Sequence, residues 1–197
     1  SHISYYQLTI EPNTAFAHRP PVVPEDDVLW TMQCQGQETL AQAGYVQYEV
    51  SAYAREGSRC RHNLNYWQFG DYLGIGPGAH GKITYAGEGR VERTSKQRHP
   101  KQYLQTANTD AVVTGRRVLA REDLSLEFTM NALRLTQGFD SRLFQDHTGL
   151  PLSVLTRPLE RAVAMGLIDW QPLSIVPTER GRNYLNELLQ LFMPEEE

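Results

Sequence analysis

The sequence predicts an α/β segment followed by a helical domain. Three observations carry that expectation. Between Ile3 and Val50 a strand, a helix with one apolar stripe and a second strand follow one another. From about Ser51 to Gly89 the chain turns aromatic and glycine-rich. Beyond that stretch apolar residues recur at helical spacing, then give way to two short strands and a closing helix, the order of a winged-helix arrangement.

Taken in order, Ile3-Ser4-Tyr5-Tyr6-Gln7-Leu8-Thr9 is aromatic and β-branched, as strands are. Glu11-Pro12-Asn13-Thr14 stops it, and Arg19-Pro20-Pro21 to Pro24 reads as a loop. Glu25-Asp26-Asp27 places negative charge where a helix macrodipole is positive. Val28, Leu29, Met32, Leu40 and Ala43 stripe that helix, and Gly44 closes it. Tyr45 to Val50 is the second strand, expected to run parallel to the first. One such unit cannot cover a sheet, so the segment reads as a piece of a larger α/β domain.

In the middle stretch Tyr72-Leu73-Gly74-Ile75 reads as a short buried strand. Lys82–Tyr85 and Arg90–Arg93 flank Ala86-Gly87-Glu88-Gly89 as a hairpin. His99-Pro100 opens a short helix through Tyr103 and Leu104. Leu124, Phe128, Ala132 and Leu135 then mark one helical face and Leu126, Met130 and Leu133 a second, ended by Gly138. Leu143 and Phe144 belong to a helix stopped by Gly149. Leu155, Leu159, Ala162 and Val163 mark another, started or kinked at Pro158 and capped by Gly166. Leu167–Trp170 and Leu173–Val176 read as strands, and Tyr184, Leu185, Leu188, Leu189 and Phe192 as one final helix before the acidic end Glu195-Glu196-Glu197. The domain boundary is expected after residue 107, giving segments 1–107 and 108–197.

Composition narrows the function. A formal net charge of −4 and scattered basic residues argue against a nucleic-acid partner. No apolar run approaches the ~18 residues of a membrane span, and no secretory signal opens the chain. Two cysteines, Cys34 and Cys60, make neither a disulfide framework nor a four-thiolate zinc site, and reduced thiols suit a cytoplasmic protein.

Two segments carry chemistry. Gly76-Pro77-Gly78-Ala79-His80-Gly81 satisfies G-x-G-x-x-G, but Ile83-Thr84-Tyr85 reads as a strand where a dinucleotide site needs a helix. The glycines are better read as allowing close backbone approach, to another strand or to a planar ligand. Cys60-Arg61-His62-Asn63-Leu64-Asn65-Tyr66-Trp67 is the densest segment. His62 has the donor chemistry of a metal or haem-iron ligand, and Tyr66 shares its face if the segment is helical. Tyr66, Trp67, Phe69 and Tyr72 would offer flat apolar surface to a porphyrin. By residue chemistry alone, a buried, hydrogen-bonded histidine among core aromatics is the plainer account. A zinc site from Cys60, His62 and His80 lacks a fourth ligand.

Arg61-His62-Asn63-Leu64-Asn65-Tyr66-Trp67, Gly70-Asp71-Tyr72-Leu73-Gly74-Ile75-Gly76 and Gly78-Ala79-His80-Gly81 resemble the oxygen-independent coproporphyrinogen III oxidase-like radical-SAM proteins, in particular their HemW-type haem chaperone branch. His2-Ile3-Ser4, Tyr6 through Thr14, Ala43-Gly44-Tyr45 and Tyr48-Glu49 resemble that family's late barrel strands. The resemblance implies the end of a partial (β/α) barrel followed by a winged-helix-like domain. It implies a [4Fe–4S] cluster and S-adenosylmethionine in the full-length parent, the cluster held by C-x-x-x-C-x-x-C. That motif is absent here, so the chain alone is expected to be inactive in radical chemistry, with no catalytic residue of its own.

The H-N-x-x-Y-W pattern, here His62, Asn63, Tyr66 and Trp67, marks the chaperone branch and implies haem contact, with His62 toward the haem iron. Thr9, Gly78, Ala79 and His80 match positions lining the SAM and substrate cavity of the oxidase branch. One departure is Val176-Pro177-Thr178, where the family often carries Leu-Thr. The implied function is haem binding and transfer to acceptor proteins. The alternative is a coproporphyrinogen III oxidase-type oxidoreductase of porphyrin biosynthesis. A winged-helix DNA-binding module would need a basic surface around Arg157 and Arg161, which the acidic balance does not support.

Overall fold

The computed structural model describes residues 1–193, and the acidic run Glu195-Glu196-Glu197 lies outside them. The chain forms two compact units, which divide between Cys60 and Arg61.

The first unit contains β1 (His2–Ser4), α1 (Ala15–His18), α2 (Asp26–Gln42), β2 (Val46–Glu49) and β3 (Ala52–Ala54). Its sheet has the order β1-β3-β2, with both neighbours antiparallel to β3. The expected parallel pairing of the first two strands is therefore replaced. Only Val50 and Ser51 separate β2 from β3, so the chain can return only antiparallel, and Ala52-Tyr53-Ala54 takes the place beside both strands. β1 is also shorter than expected. Tyr5 N–H still donates to Ser51 O at 2.8 Å, but Tyr6, Leu8 and Ile10 beyond it are exposed.

α2 starts on Asp26 and Asp27 as the charge pattern predicts. Gly44, at φ 79°, ends it in the left-handed region that glycine tolerates, with Tyr45 N–H bonded back to Leu40 O at 2.9 Å. Its apolar stripe buries no residue; the buried aromatics here are Tyr48 and Tyr53 of the sheet.

The second unit opens with α3 (Arg61–Trp67) and a three-stranded antiparallel sheet of β4 (His80–Tyr85), β5 (Arg90–Lys96) and β6 (Val113–Val118), with α4 (Pro100–Thr106) between the last two. The predicted hairpin is present, pairing Tyr85 with Arg90 across Ala86–Gly89. Tyr72–Ile75 is not a buried strand. Only Tyr72 makes a bridge, to Lys82, while Leu73 and Ile75 are 76% and 83% exposed.

Next come α5 (Arg121–Ala132), β7 (Phe139–Asp140), α6 (Ser141–Thr148), α7 (Thr156–Ala164), β8 (Ile168–Gln171), β9 (Ser174–Pro177), α8 (Glu179–Asn183) and α9 (Leu185–Gln190). The strands β7-β9-β8 form a third antiparallel sheet, so three helices and a small sheet stand in winged-helix order. Pro158 sits in the first turn of α7, two residues after its start at Thr156, where a missing N–H costs no bond within the helix. The closing helix is broken into two at Tyr184, whose φ of −115° and ψ of 46° are not helical. α5 buries Leu124, Phe128 and Ala132, and of its expected second face Leu133 is buried and Leu126 packs against the core, while Met130 is exposed.

Phe128 centres the core. The rings of Phe69, Phe139 and Phe144 meet it edge-on at 5.7, 5.1 and 5.1 Å. Phe69 and Val91 thus share one core with the C-terminal helices, and position 107 falls inside this unit.

Candidate functional site

α3 carries His62 and Tyr66 four residues apart, so the two rings fall on one face and meet edge-on with centroids 4.8 Å apart. The helix ends in a tight turn that sets the path of the chain toward Tyr72. Gly70 N–H bonds to Asn65 O at 2.7 Å, and Asn65 Nδ2 donates to Asp71 O at 2.9 Å. Phe69 takes the left-handed conformation there (φ 60°), an uncommon one for a bulky residue. Burial of its ring and the His147 Nδ1 contact to its carbonyl oxygen (3.2 Å) hold it.

That turn delivers Tyr72 to Tyr66. The two phenol rings stack at 4.2 Å with planes inclined 26°. Behind them Arg93 of β5 donates to the Tyr72 hydroxyl, and its Nε donates to Glu127 Oε2 of α5 at 2.9 Å. Glu127 also accepts from Arg117 of β6 at 3.2 Å. A continuous series of contacts therefore runs from His62 through Tyr66, Tyr72 and Arg93 to Glu127. Burial raises the Tyr72 pKa above its ordinary value despite the nearby guanidinium, so the hydroxyl stays protonated at neutral pH.

A second fixing point lies beside this series. Lys82 is 1% exposed, its ammonium 3.0 Å from Asp71 Oδ1 and 4.1 Å from the Phe69 ring centroid. Asp71 also accepts from Thr84 N–H and Oγ1, both at 2.8 Å. Burial alone would raise Asp71, but these hydrogen bonds outweigh it and hold its pKa below the usual value. Lys82 is lowered too, because burial of its ammonium outweighs the pull of the carboxylate.

The expected site residues separate into groups. His62 and Tyr66 come together. His62 is exposed, which overturns the account of a buried core histidine, whereas Leu64, Tyr66 and Trp67 of the same helix are half-buried. Asn63 is half-buried. Trp67 is covered by the Arg134 guanidinium, 4.5 Å from its ring centroid. Phe69, expected as porphyrin-facing surface, is instead core.

Gly78, Ala79 and His80 lead into β4, where Gly78 N–H bonds to Gln97 O at 2.7 Å and Ala79 O accepts from Lys96 N–H at 2.9 Å. Of the motif glycines only Gly81 makes the expected close approach, since a Cβ on Gly76 would meet nothing within 4 Å and one on Gly78 only Arg98 at 3.8 Å; Gly74, just before the motif, also lies close to its neighbour. A Cβ on Gly74 would lie 2.4 Å from His80 O, and one on Gly81 2.8 Å from Thr94 Oγ1. A cleft of about 190 Å³ opens here between Tyr72, Leu73, Ile75, Ile83, Thr94 and Lys96. Thr9 belongs to the first unit, exposed in the irregular segment after β1. Among the described residues no three His, Cys, Asp or Glu side chains converge on a metal position, and no helix is long and apolar enough to cross a membrane.

Tyr72 was legible as an aromatic, but Arg93, Glu127, Asp71 and Lys82 were not singled out as members of this site.

Residues 119–184 match the family profile described as HemN_C, the HemN C-terminal domain. The protein called "Heme chaperone HemW" in Haemophilus influenzae is 48% identical over 195 residues, 99% of this chain and 50% of that protein. Its Escherichia coli counterpart is 47% identical over 199 residues, 98% of this chain and again 50% of the relative. The chain belongs to the HemW/HemN family. It spans about half the length of the curated relatives it matches.

A solved family structure, described as "Coproporphyrinogen III oxidase (HemN) from Escherichia coli is a Radical SAM enzyme", superposes with a TM-score of 0.61 at 18% identity, covering 86% of this chain and 42% of that one. At that identity the likeness establishes fold. The α/β portion with its partial sheet core resembles part of the radical-SAM HemN fold, followed by helical segments.

Proposed function

We propose that the protein carrying this chain binds haem and hands it to acceptor proteins, and that His62 contacts the haem iron. The observation that carries the reading is the exposed imidazole of His62 on α3, backed edge-on by Tyr66. A neutral imidazole nitrogen is a common donor to haem iron. An exposed one can be approached by a flat ligand without unfolding its surroundings, and backing by a ring limits its rotamers before haem arrives. Asn63, Tyr66 and Trp67 would complete the proposed haem-contact set, with the Tyr66 ring beside the His62 imidazole. The names of the 48% and 47% identical relatives support haem as cargo. The oxidase-type resemblance at 18% supports the fold alone.

On the family resemblance, Gly78, Ala79 and His80 are assigned to the lining of a SAM or substrate cavity, and Thr9, in the first unit, is likewise assigned a contact to SAM or substrate. A [4Fe–4S] cluster does not fit the thiols present. Cys34 and Cys60 are two free cysteines, one exposed and one half-exposed, and no third ligand joins them among the described residues. No step of the proposed function is routed through a cluster. Free thiols suit a reducing compartment and support a cytoplasmic location.

The test is a hemin titration of the full-length protein and its His62→Ala variant, followed at the Soret band. The proposal expects weaker binding and a displaced band in the variant. Identical affinity and spectrum would remove His62 from the site.

A further inference from the structure

We infer that Tyr72 and Arg93 are positioning residues for the His62 imidazole, acting through Tyr66. This rests on the reading of His62 as a haem contact and names the parts of the fold that aim it.

Tyr66 is the only ring that touches His62 among the described residues, so its orientation bounds the rotamers open to the imidazole. Tyr66 is itself half-buried on a helix of seven residues, and Tyr72 stacks on its other side at 4.2 Å. Tyr72 has little freedom to move. Its backbone N–H and C=O both bond to Lys82, each at 3.0 Å, which anchors its main chain to β4. Its hydroxyl accepts from Arg93, and Arg93 is clamped by Glu127 through both Nε and Nη2.

Both Arg93 donors converge on one oxygen, Glu127 Oε2, while Glu127 Oε1 accepts from Arg117, so the carboxylate is held by two guanidinium groups and in turn holds Arg93 in place. The Arg93–Glu127 pair is partly buried, at 27% and 21% side-chain exposure, so it is shielded from the screening that weakens surface pairs. The result is an aromatic stack rooted in a strand and a helix, with Tyr72 and Tyr66 half-buried and its last member, His62, exposed. Stacked aromatic pairs favour offset geometries, and removing one ring frees the other to rotate. A site whose outermost ligand is aimed by a supported stack loses less freedom on binding.

The experiment uses the full-length protein and hemin, comparing wild type with Tyr72→Leu, Tyr72→Phe, Arg93→Met and His62→Ala. Affinity is read from the Soret titration, and axial-ligand geometry from the electron paramagnetic resonance of the ferric complex. Thermal melting of each variant reports folding. Loss of a supporting aromatic contact is expected to weaken hemin binding by about threefold to tenfold in Tyr72→Leu and to broaden the ferric signal. Tyr72→Phe keeps the stack and is expected to restore most of both. Arg93→Met is expected to broaden the signal with a smaller change in affinity.

If His62→Ala loses hemin while Tyr72→Leu and Arg93→Met keep wild-type affinity and signal, the positioning role is refuted and the reading of His62 stands. If His62→Ala itself binds as wild type does, the reading of His62 fails, and the positioning role with it. Should Tyr72→Leu fail to fold, Arg93→Met decides the matter, since a wild-type ferric signal in that variant refutes the inference.

Discussion

Replacing Asp71 with alanine leaves the Lys82 ammonium buried without its carboxylate, in a segment that both residues tie to the aromatic stack. Lys82 is 1% exposed and cannot reach water by a small side-chain movement. Breaking a buried pair by removing one partner costs about 3–5 kcal/mol. Asp71 itself is 39% exposed, so water replaces part of what the carboxylate supplied and the low end applies. The expected loss is therefore roughly 3 kcal/mol, or about 6–12 °C in melting temperature for a chain of this size.

The pH dependence separates this cause from simple loosening. In wild type, the depressed Asp71 pKa gives stability that is present above its unfolded value of 3.8 and lost as pH falls through the folded value. In Asp71→Ala, Lys82 lacks the carboxylate and its folded pKa falls further below 10.5. The unfolded chain then binds the extra proton, and stability rises with pH across that window. The gap between variant and wild type should be widest near neutral pH and shrink toward both ends. The assay is melting by circular dichroism from pH 3 to 10.5, with Asp71→Ala/Lys82→Met as the variant that recovers most of the loss. A gap below about 1 °C at pH 7, or one that does not change with pH, would refute the reasoning.

Three further outcomes are expected. Phe69→Ala removes a ring that meets Phe128 in the core, and its urea midpoint should fall by the equivalent of about 3–4 kcal/mol. Gly138→Ala adds a Cβ that would lie 1.9 Å from Ile175 O at a φ of 61°, and should lose upwards of roughly 2 kcal/mol in the same assay. Asp140 caps α6, and hydrogen bonds from the Arg142 side chain and N–H lower its pKa from 3.8 to about 2. The stability it contributes is present above 3.8 and lost as pH falls toward 2, and Asp140→Asn should remove that part of the acid transition in a melting series.

Much of the fold was legible because it follows local rules. Gly89 marks the hairpin and Gly44, Gly149 and Gly166 close their helices, all at positive φ. His62 and Tyr66 meet because four residues make a helical turn. The errors came where distant pairing overrides local pattern. Val113–Val118 contains Gly115, Arg116 and Arg117 and has no strand periodicity, yet it is an edge strand fixed by pairing with β5, with both arginines 60% exposed and paired to Glu92 and Glu127. Ala52–Ala54 is too short and too uniformly buried to alternate, so nothing local announced that it lies between β1 and β2. Tyr72–Ile75 has strand composition, but Gly74 passes so close to His80 that only one bridge forms and Leu73 and Ile75 turn outward.

The candidate site shows the same split. His62 and Tyr66 were visible as a pair on one turn, whereas Arg93 and Glu127 are 34 residues apart and meet only because β5 packs beside α5. An ion pair across that separation leaves no periodic trace in the sequence.

The most direct test of haem contact at His62 is hyperfine spectroscopy of the full-length protein loaded with ferric hemin and labelled with ¹⁵N-histidine. A histidine nitrogen coupled to the iron in wild type and lost in His62→Ala is the predicted result. Coupling that persists in His62→Ala, or that is absent from wild type, would contradict it.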